Sequence, residues 1–224
     1  MQLLAAWGGL AALGAALSSF GAGCAAIALV GGMADSFERT GSHKVYAEYE
    51  GLRGKSYAVV VSVDRAVQGT EPRLMTRLTN AITNMLVTNN GVIGASGAVP
   101  GPRVLEFLYN NPSWTSWSYG RLGEEFGVDR LILVDLVEYR LNEPGNAHVW
   151  EGLMSARVGV VDVESGVSDD FVFTKEIMVR FPDDSGVTRN EMLALQVSST
   201  LEQRFVNRVA WLFFEHSEPN MIEY

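Results

Sequence analysis

One cysteine, Cys24, stands in the 224 residues. A lone thiol excludes an internal disulfide and any cysteine-based zinc cluster. Histidine is nearly as scarce. His43, His148 and His216 lie far apart, and none has a second His or Cys at metal-ligand spacing. Basic residues are in deficit, 17 Lys+Arg against 26 Asp+Glu for a net charge of −9. A nucleic-acid binder needs a basic stripe to displace counterions, so that class of partner is excluded. The most informative absence is of charge itself. Residues 1–34 contain no Asp, Glu, Lys or Arg, and Asp35 is the first charged side chain.

Catalytic signatures are missing too. No G-x-S-x-G surrounds any serine, so acyl transfer has no nucleophile elbow to start from. Gly91, Gly94 and Gly97 follow a predicted helix and bring no lysine, which reads as a turn and not as a phosphate loop. Asp169-Asp170 and Asp183-Asp184 are acidic pairs in predicted turns. A calcium site would need further oxygen ligands in a fixed loop. The sequence therefore predicts no enzyme, no metal site and no cofactor site.

What is present divides the chain in four. Residues 1–34 hold 24 apolar residues and seven Gly. A surface helix would show a polar face, so this stretch belongs in a bilayer, at least during export. Residues 3–17 suit the apolar core of a signal peptide, and Gly21-Ala22-Gly23 are the small residues a signal peptidase needs just before its cut. Cleavage there makes Cys24 the new N-terminus, free to be acylated with chains such as palmitate. The competing reading keeps the stretch as an uncleaved anchor, since the apolar run continues through residues 25–30. Ala-Gly-Cys resembles the lipobox of bacterial lipoproteins. It departs from that pattern at Gly21, where an aliphatic residue is usual, and in lacking Lys or Arg before the apolar run.

Residues 35–55 are charged, with three Gly and no sustained periodicity, and read as a tether in which residues 45–49 pair weakly with a sheet edge. Residues 56–216 read as one globular domain and residues 217–224 as a tail. The other 190 residues of the chain carry all 43 charges, about 23%, near the roughly 25% of ordinary soluble domains. The predicted fold class is α/β (α+β): a small mixed sheet with a β-α-β-α start, then a three-strand antiparallel meander and a long C-terminal amphipathic helix.

Local patterns carry that prediction. YAVVVSV, at 57–63, is a β-branched run that reads as a strand buried on both faces. Thr70 and Pro72 are expected to open a helix whose apolar stripe includes Leu74, Leu78, Ile82 and Leu86; Asn89-Asn90-Gly91 stops it. Val92 and Ile93 are expected to begin a second strand. A short helix spans 102–109, a second is capped by Ser116 or Ser118, and Gly127 closes it. Strands follow from 131 to about 141 and from 148 to 163. In the third, Phe171, Phe173, Ile177, Val179 and Phe181 share one face. Thr188 and Glu191 form a capping box expected to start the last helix, whose stripe runs from Leu193 to Phe213 and covers the sheet.

Residues 122–139 (LGEEFGVDRLILVDLVEY) resemble the "LGADYVLxGxV" segment of a group of bacterial envelope proteins, with Gly127-Val128-Asp129 at the junction of helix and buried strand. Ala156-Arg157-Val158 and residues 161–166 (VDVESG) resemble that group's "ARLVDVETG" strand and turn. The group includes lipoprotein activators of penicillin-binding proteins, curli-secretion-channel lipoproteins and the N-terminal domain of the Tol-system propeller protein. The resemblance covers roughly residues 56–181. It implies helices on one side of a mixed sheet and non-enzymatic binding or assembly work in the cell envelope. The group's channel formers carry apolar hairpins, whereas 148–181 here carries Glu151, Arg157, Asp169, Asp170, Lys175, Glu176 and Arg180. That speaks against a channel built by this chain alone.

One cluster suits a partner. Tyr109, Trp114, Trp117 and Tyr119 fall within eleven residues among Asn, Pro and Ser, and aromatics in polar company are favoured at interface centres. The competing reading has two of them plugging the core beneath the loop. The expectation is a membrane-anchored envelope lipoprotein, its domain in the periplasm, binding another protein or a copy of itself. The alternatives are a single-span subunit of an oligomeric secretion or motility complex and, less supported, an envelope hydrolase.

Overall fold

A computed structural model of the chain describes residues 41–164 and 170–219. The leader, Cys24, and the turn at Gly166 lie outside the described residues. The elements in chain order are β1 (Ser42–Val45), β2 (Ser56–Val63), α1 (Arg65–Thr70), α2 (Leu74–Thr88), α3 (Asn90–Ile93), β3 (Gly97–Ala98) and α4 (Gly101–Asn110). A 3-10 turn (Pro112–Ser116), α5 (Tyr119–Phe126), β4 (Arg130–Arg140), β5 (Gly152–Asp162), β6 (Phe171–Phe181), α6 (Ala194–Trp211) and β7 (His216–Pro219) follow.

The five-stranded sheet has the order β3-β2-β4-β5-β6. β2 runs parallel to β3 and β4, while β4, β5 and β6 form the expected antiparallel meander. The predicted α/β class and strand plan are those of the structure. β1 and β7 form a separate two-stranded sheet, so of residues 45–49, expected to pair weakly with a sheet edge, Val45 alone lies in a strand, and its sheet is not the five-stranded one. Within the stretch expected as tether, Leu52 is buried and Tyr49 packs on Phe173 and Phe213.

Alternation along β2 explains the layers. Val59 and Val61 face one core with Leu78 and Ile82 of α2 and Phe205 and Val209 of α6. Ala58 and Val60 face a second core with Val104 and Leu108 of α4 and Leu122 and Phe126 of α5. Helices thus cover both faces, correcting the one-sided arrangement that the family resemblance implied. The continuous β-branched run is the sequence signature of that double burial.

Four local expectations are also corrected. The helix carrying Leu74 to Leu86 starts after Arg73 with no side-chain cap, not at Thr70. A separate short helix precedes it, opened by Asp64 accepting from the Ala66 N–H at 2.7 Å. Thr70 ends that helix with its hydroxyl on the Val67 carbonyl at 3.1 Å. Asn90–Ile93 is a helical turn, closed by Gly94 in the left-handed conformation, and the strand comes four residues later at Gly97. The Thr188 N–H and hydroxyl both reach the Glu191 carboxylate at 2.7 Å, but this closed turn precedes the helix. α6 starts at Ala194, with the Leu193 N–H on Gln196 at 3.0 Å, and Leu193 itself is exposed. Finally, the β5–β6 register shifts at Val160/Val161, so Phe171 pairs with Val161 on the opposite face from Phe173.

Candidate interaction surface

The two faces of the sheet are not covered equally. α2 and α6 cover the first along β2, β4, β5 and β6. On the second, α4 and α5 cover Leu131 and Leu133 of β4 and Val161 of β5 and stop there. Among the described residues no helix covers the middle of the meander on this side. Register defines its rows: Asp135, Arg157 and Glu176 lie side by side across β4, β5 and β6, and Ser155 and Met178 occupy the next row with Glu138. Asp135, Val137, Arg157, Glu176 and Met178 are exposed, Val137 and Met178 by 60% and 56%. Asp135 is fixed in place by the Ser62 hydroxyl, which donates to it at 2.6 Å. Arg157, Phe171, Thr174, Lys175 and Glu176 line a shallow recess of about 320 Å³ on this side.

At the far end of the same surface lies a cleft of about 350 Å³ whose lining includes Arg140, Glu143, Glu151, Arg180 and Asp183. Several of its charges are engaged, two of them by residues outside the lining. Arg140 Nε donates to Glu138 at 2.8 Å, and Arg204 grips Asp183 through two nitrogens. That guanidinium holds the Asp183 carboxyl below its ordinary value. Glu143 hydrogen-bonds the Glu151 carboxyl and raises its pKa, as expected when two carboxylates share a proton. Arg140 Nη1 is buried and has no hydrogen-bond partner among the described residues. Trp150 is buried, with its indole N–H on the Met192 carbonyl at 2.8 Å and Arg189 over its ring.

Asp129 anchors the opposite end of the sheet. It accepts from the Ser56 N–H at 2.7 Å and the Ser56 hydroxyl at 2.9 Å, locking the parallel pairing of β2 and β4. These bonds hold its carboxyl below the ordinary carboxylate value. Arg130 beside it reaches Asp162 at 2.6 Å.

The predicted aromatic cluster is divided. Trp114, Trp117 and Tyr119 are half-buried against the second core. Trp117 meets Phe107 edge-on at 5.7 Å and carries the Arg121 guanidinium 4.0 Å above its ring. Tyr119 packs on Phe171 at 5.4 Å. Tyr109 stands apart, 57% exposed, its hydroxyl 2.9 Å from that of Thr76. His148 is exposed, and His216 stacks on Trp211 at 4.4 Å. Among the described residues no group of three or more His, Cys, Asp or Glu is placed to hold a metal, and no helix is long and apolar enough to cross a membrane.

No family model matches this chain, and no curated protein matches it. Solved structures do. The PelC dodecamer from Paraburkholderia phytofirmans is 12% identical over 77% of this chain and 96% of that one, with a TM-score of 0.42. Lipoprotein GNA1162 from Neisseria meningitidis is 15% identical over 69% of this chain and 97% of that one, with a TM-score of 0.41. Protein XCC0632 from Xanthomonas campestris is 9% identical over 76% of this chain and 85% of that one, with a TM-score of 0.44.

Sequence reasoning did not single out the open face or β6. Two signals for them stand in the sequence. Asp135 interrupts the apolar run LILVDLV, and Glu176, Met178 and Arg180 stand at spacings of two, on one face of a strand.

Proposed function

We propose that this chain is a membrane-anchored envelope lipoprotein, with its domain in the periplasm, that works as a non-enzymatic binding or assembly module. The observation that carries the reading is the charge-free stretch of residues 1–34 with Cys24 directly after Gly21-Ala22-Gly23. Acylation of Cys24 would hold the domain at the membrane surface through the charged residues that begin at Asp35. A myristoyl-sized chain alone binds only marginally, so stable anchoring needs more than one acyl chain. The resemblance of residues 122–139 and 156–166 to envelope proteins supports the same reading. The open half of the meander supports binding: it offers exposed Val137 and Met178 beside a charged row on a rigid sheet.

Substituting Cys24 tests the anchor. The C24S chain loses its acyl mass and leaves the membrane fraction on a high-salt wash. A C24S chain that stays membrane-bound at unchanged mass contradicts the lipoprotein reading. That result would favour a single uncleaved span, the reading to which the continued apolar run at residues 25–30 points.

A further inference from the structure

β6 is an edge strand eleven residues long, and among the described residues nothing pairs with its outer side. Such an edge is a template for another strand unless charge or cover blocks it. The Arg180 carbonyl shows how its backbone is turned: it accepts from Arg204 at 3.0 Å, off the sheet. Alternation then turns the N–H and C=O groups of Glu176 and Met178 outward as well. These three side chains share the open face. Their spacing is self-complementary. If two copies of β6 lie antiparallel with Met178 opposite Met178, then Glu176 of each copy stands opposite Arg180 of the other, twice over.

We propose that β6 pairs with β6 of a second copy about a two-fold axis at Met178, joining two five-stranded sheets into one continuous sheet. The inference rests on the reading of the chain as a binding module and names its partner. An isologous contact of this kind requires each residue's complement to lie on the same patch, which Glu176 and Arg180 satisfy. Opposite charges directly across a strand pair stabilise it, and like charges destabilise it. The charged row continues inward, because Glu176 neighbours Arg157 and Arg157 neighbours Asp135 in register, so charge alternates from one sheet into the next. Exposed Met178 is covered at the axis. Arg204 need not be expelled, since a carbonyl oxygen offers two lone pairs.

The test is oxidative crosslinking of the full chain in its native membranes. Hydrogen-bonded antiparallel residues stand about 5.5 Å apart between Cα atoms, inside the range a disulfide spans. M178C should give a reducible band at twice the chain mass. T174C, which the register places opposite residue 182 of the other copy, should give none, nor should the unsubstituted chain. In detergent, E176R and R180E should each weaken self-association at least tenfold, and an equimolar mixture of the two should restore it as a heterodimer. Equal crosslinking at 174 and 178, or single charge reversals without effect, would overturn the proposal. An M178C band of another mass would overturn it too, while leaving the binding-module reading standing with a different protein at the edge. If M178C gives no crosslink to any protein, both the proposal and β6 as the module's binding edge fall, whereas the C24S result bears on the anchor alone.

Discussion

Replacing Asp129 by Ala removes the carboxylate that ties the starts of β2 and β4 together. Two hydrogen bonds go, from the Ser56 N–H and the Ser56 hydroxyl. Bonds to a charged acceptor contribute about 1.5–3 kcal/mol each, but this site is half-buried and water replaces part of the loss. A net cost of about 2 kcal/mol follows, and the urea midpoint should fall by about 1 M if the slope is about 2 kcal/mol/M. Tryptophan fluorescence of the full chain in mild detergent reads the transition. The sign with pH is also set. Because the folded carboxyl titrates below its ordinary value, its contribution is complete above about pH 3.9. It is lost as the pH falls through the lower folded value. D129N, which keeps an acceptor for the Ser56 N–H but cannot ionise, should lose less stability than D129A and lack that acid-dependent part. A D129A chain within about 0.5 kcal/mol of the parent, or a D129N chain with unchanged acid dependence, would refute the reasoning.

Other outcomes follow from packing. Phe205→Ala, at a position with no exposure between α6 and the sheet, should cost about 3–5 kcal/mol by denaturant titration. Gly127→Ala places a Cβ at φ +64° in the helix-closing position; a loss of about 1 kcal/mol is expected, with G127N losing less. Trp117→Ala removes contacts with Phe107 and Arg121 and should lower the thermal midpoint by several degrees; an unchanged midpoint would return this residue to the partner surface alone.

The sheet was legible where a strand is buried on both sides or alternates cleanly, as in 57–63 and 131–141. Gly127 and Ser118 were legible because helix ends demand particular residues: Ser118 accepts from the Arg121 N–H at 3.3 Å, and Gly127 takes the left-handed conformation. Thr70 misled because a Thr two residues before a Pro reads as a helix opener, whereas its hydroxyl instead closes a short preceding helix on the Val67 carbonyl. Thr188 and Glu191 made the right contact on the wrong element, since the same side-chain pair closes an isolated turn as readily as a helix. Phe171 was placed on the wrong face because a register shift cannot be seen in one strand's own alternation. The open face was illegible for a related reason. Which rows the helices leave uncovered depends on where α4 and α5 end, and strand periodicity carries no record of that.

The address of the chain is the claim most directly open to measurement, through the intact mass of the native protein taken from its membrane fraction. A lipidated chain begins at Cys24 and carries the mass of its acyl groups, and that is the expected result. A chain that retains residues 1–23 without added mass would contradict it.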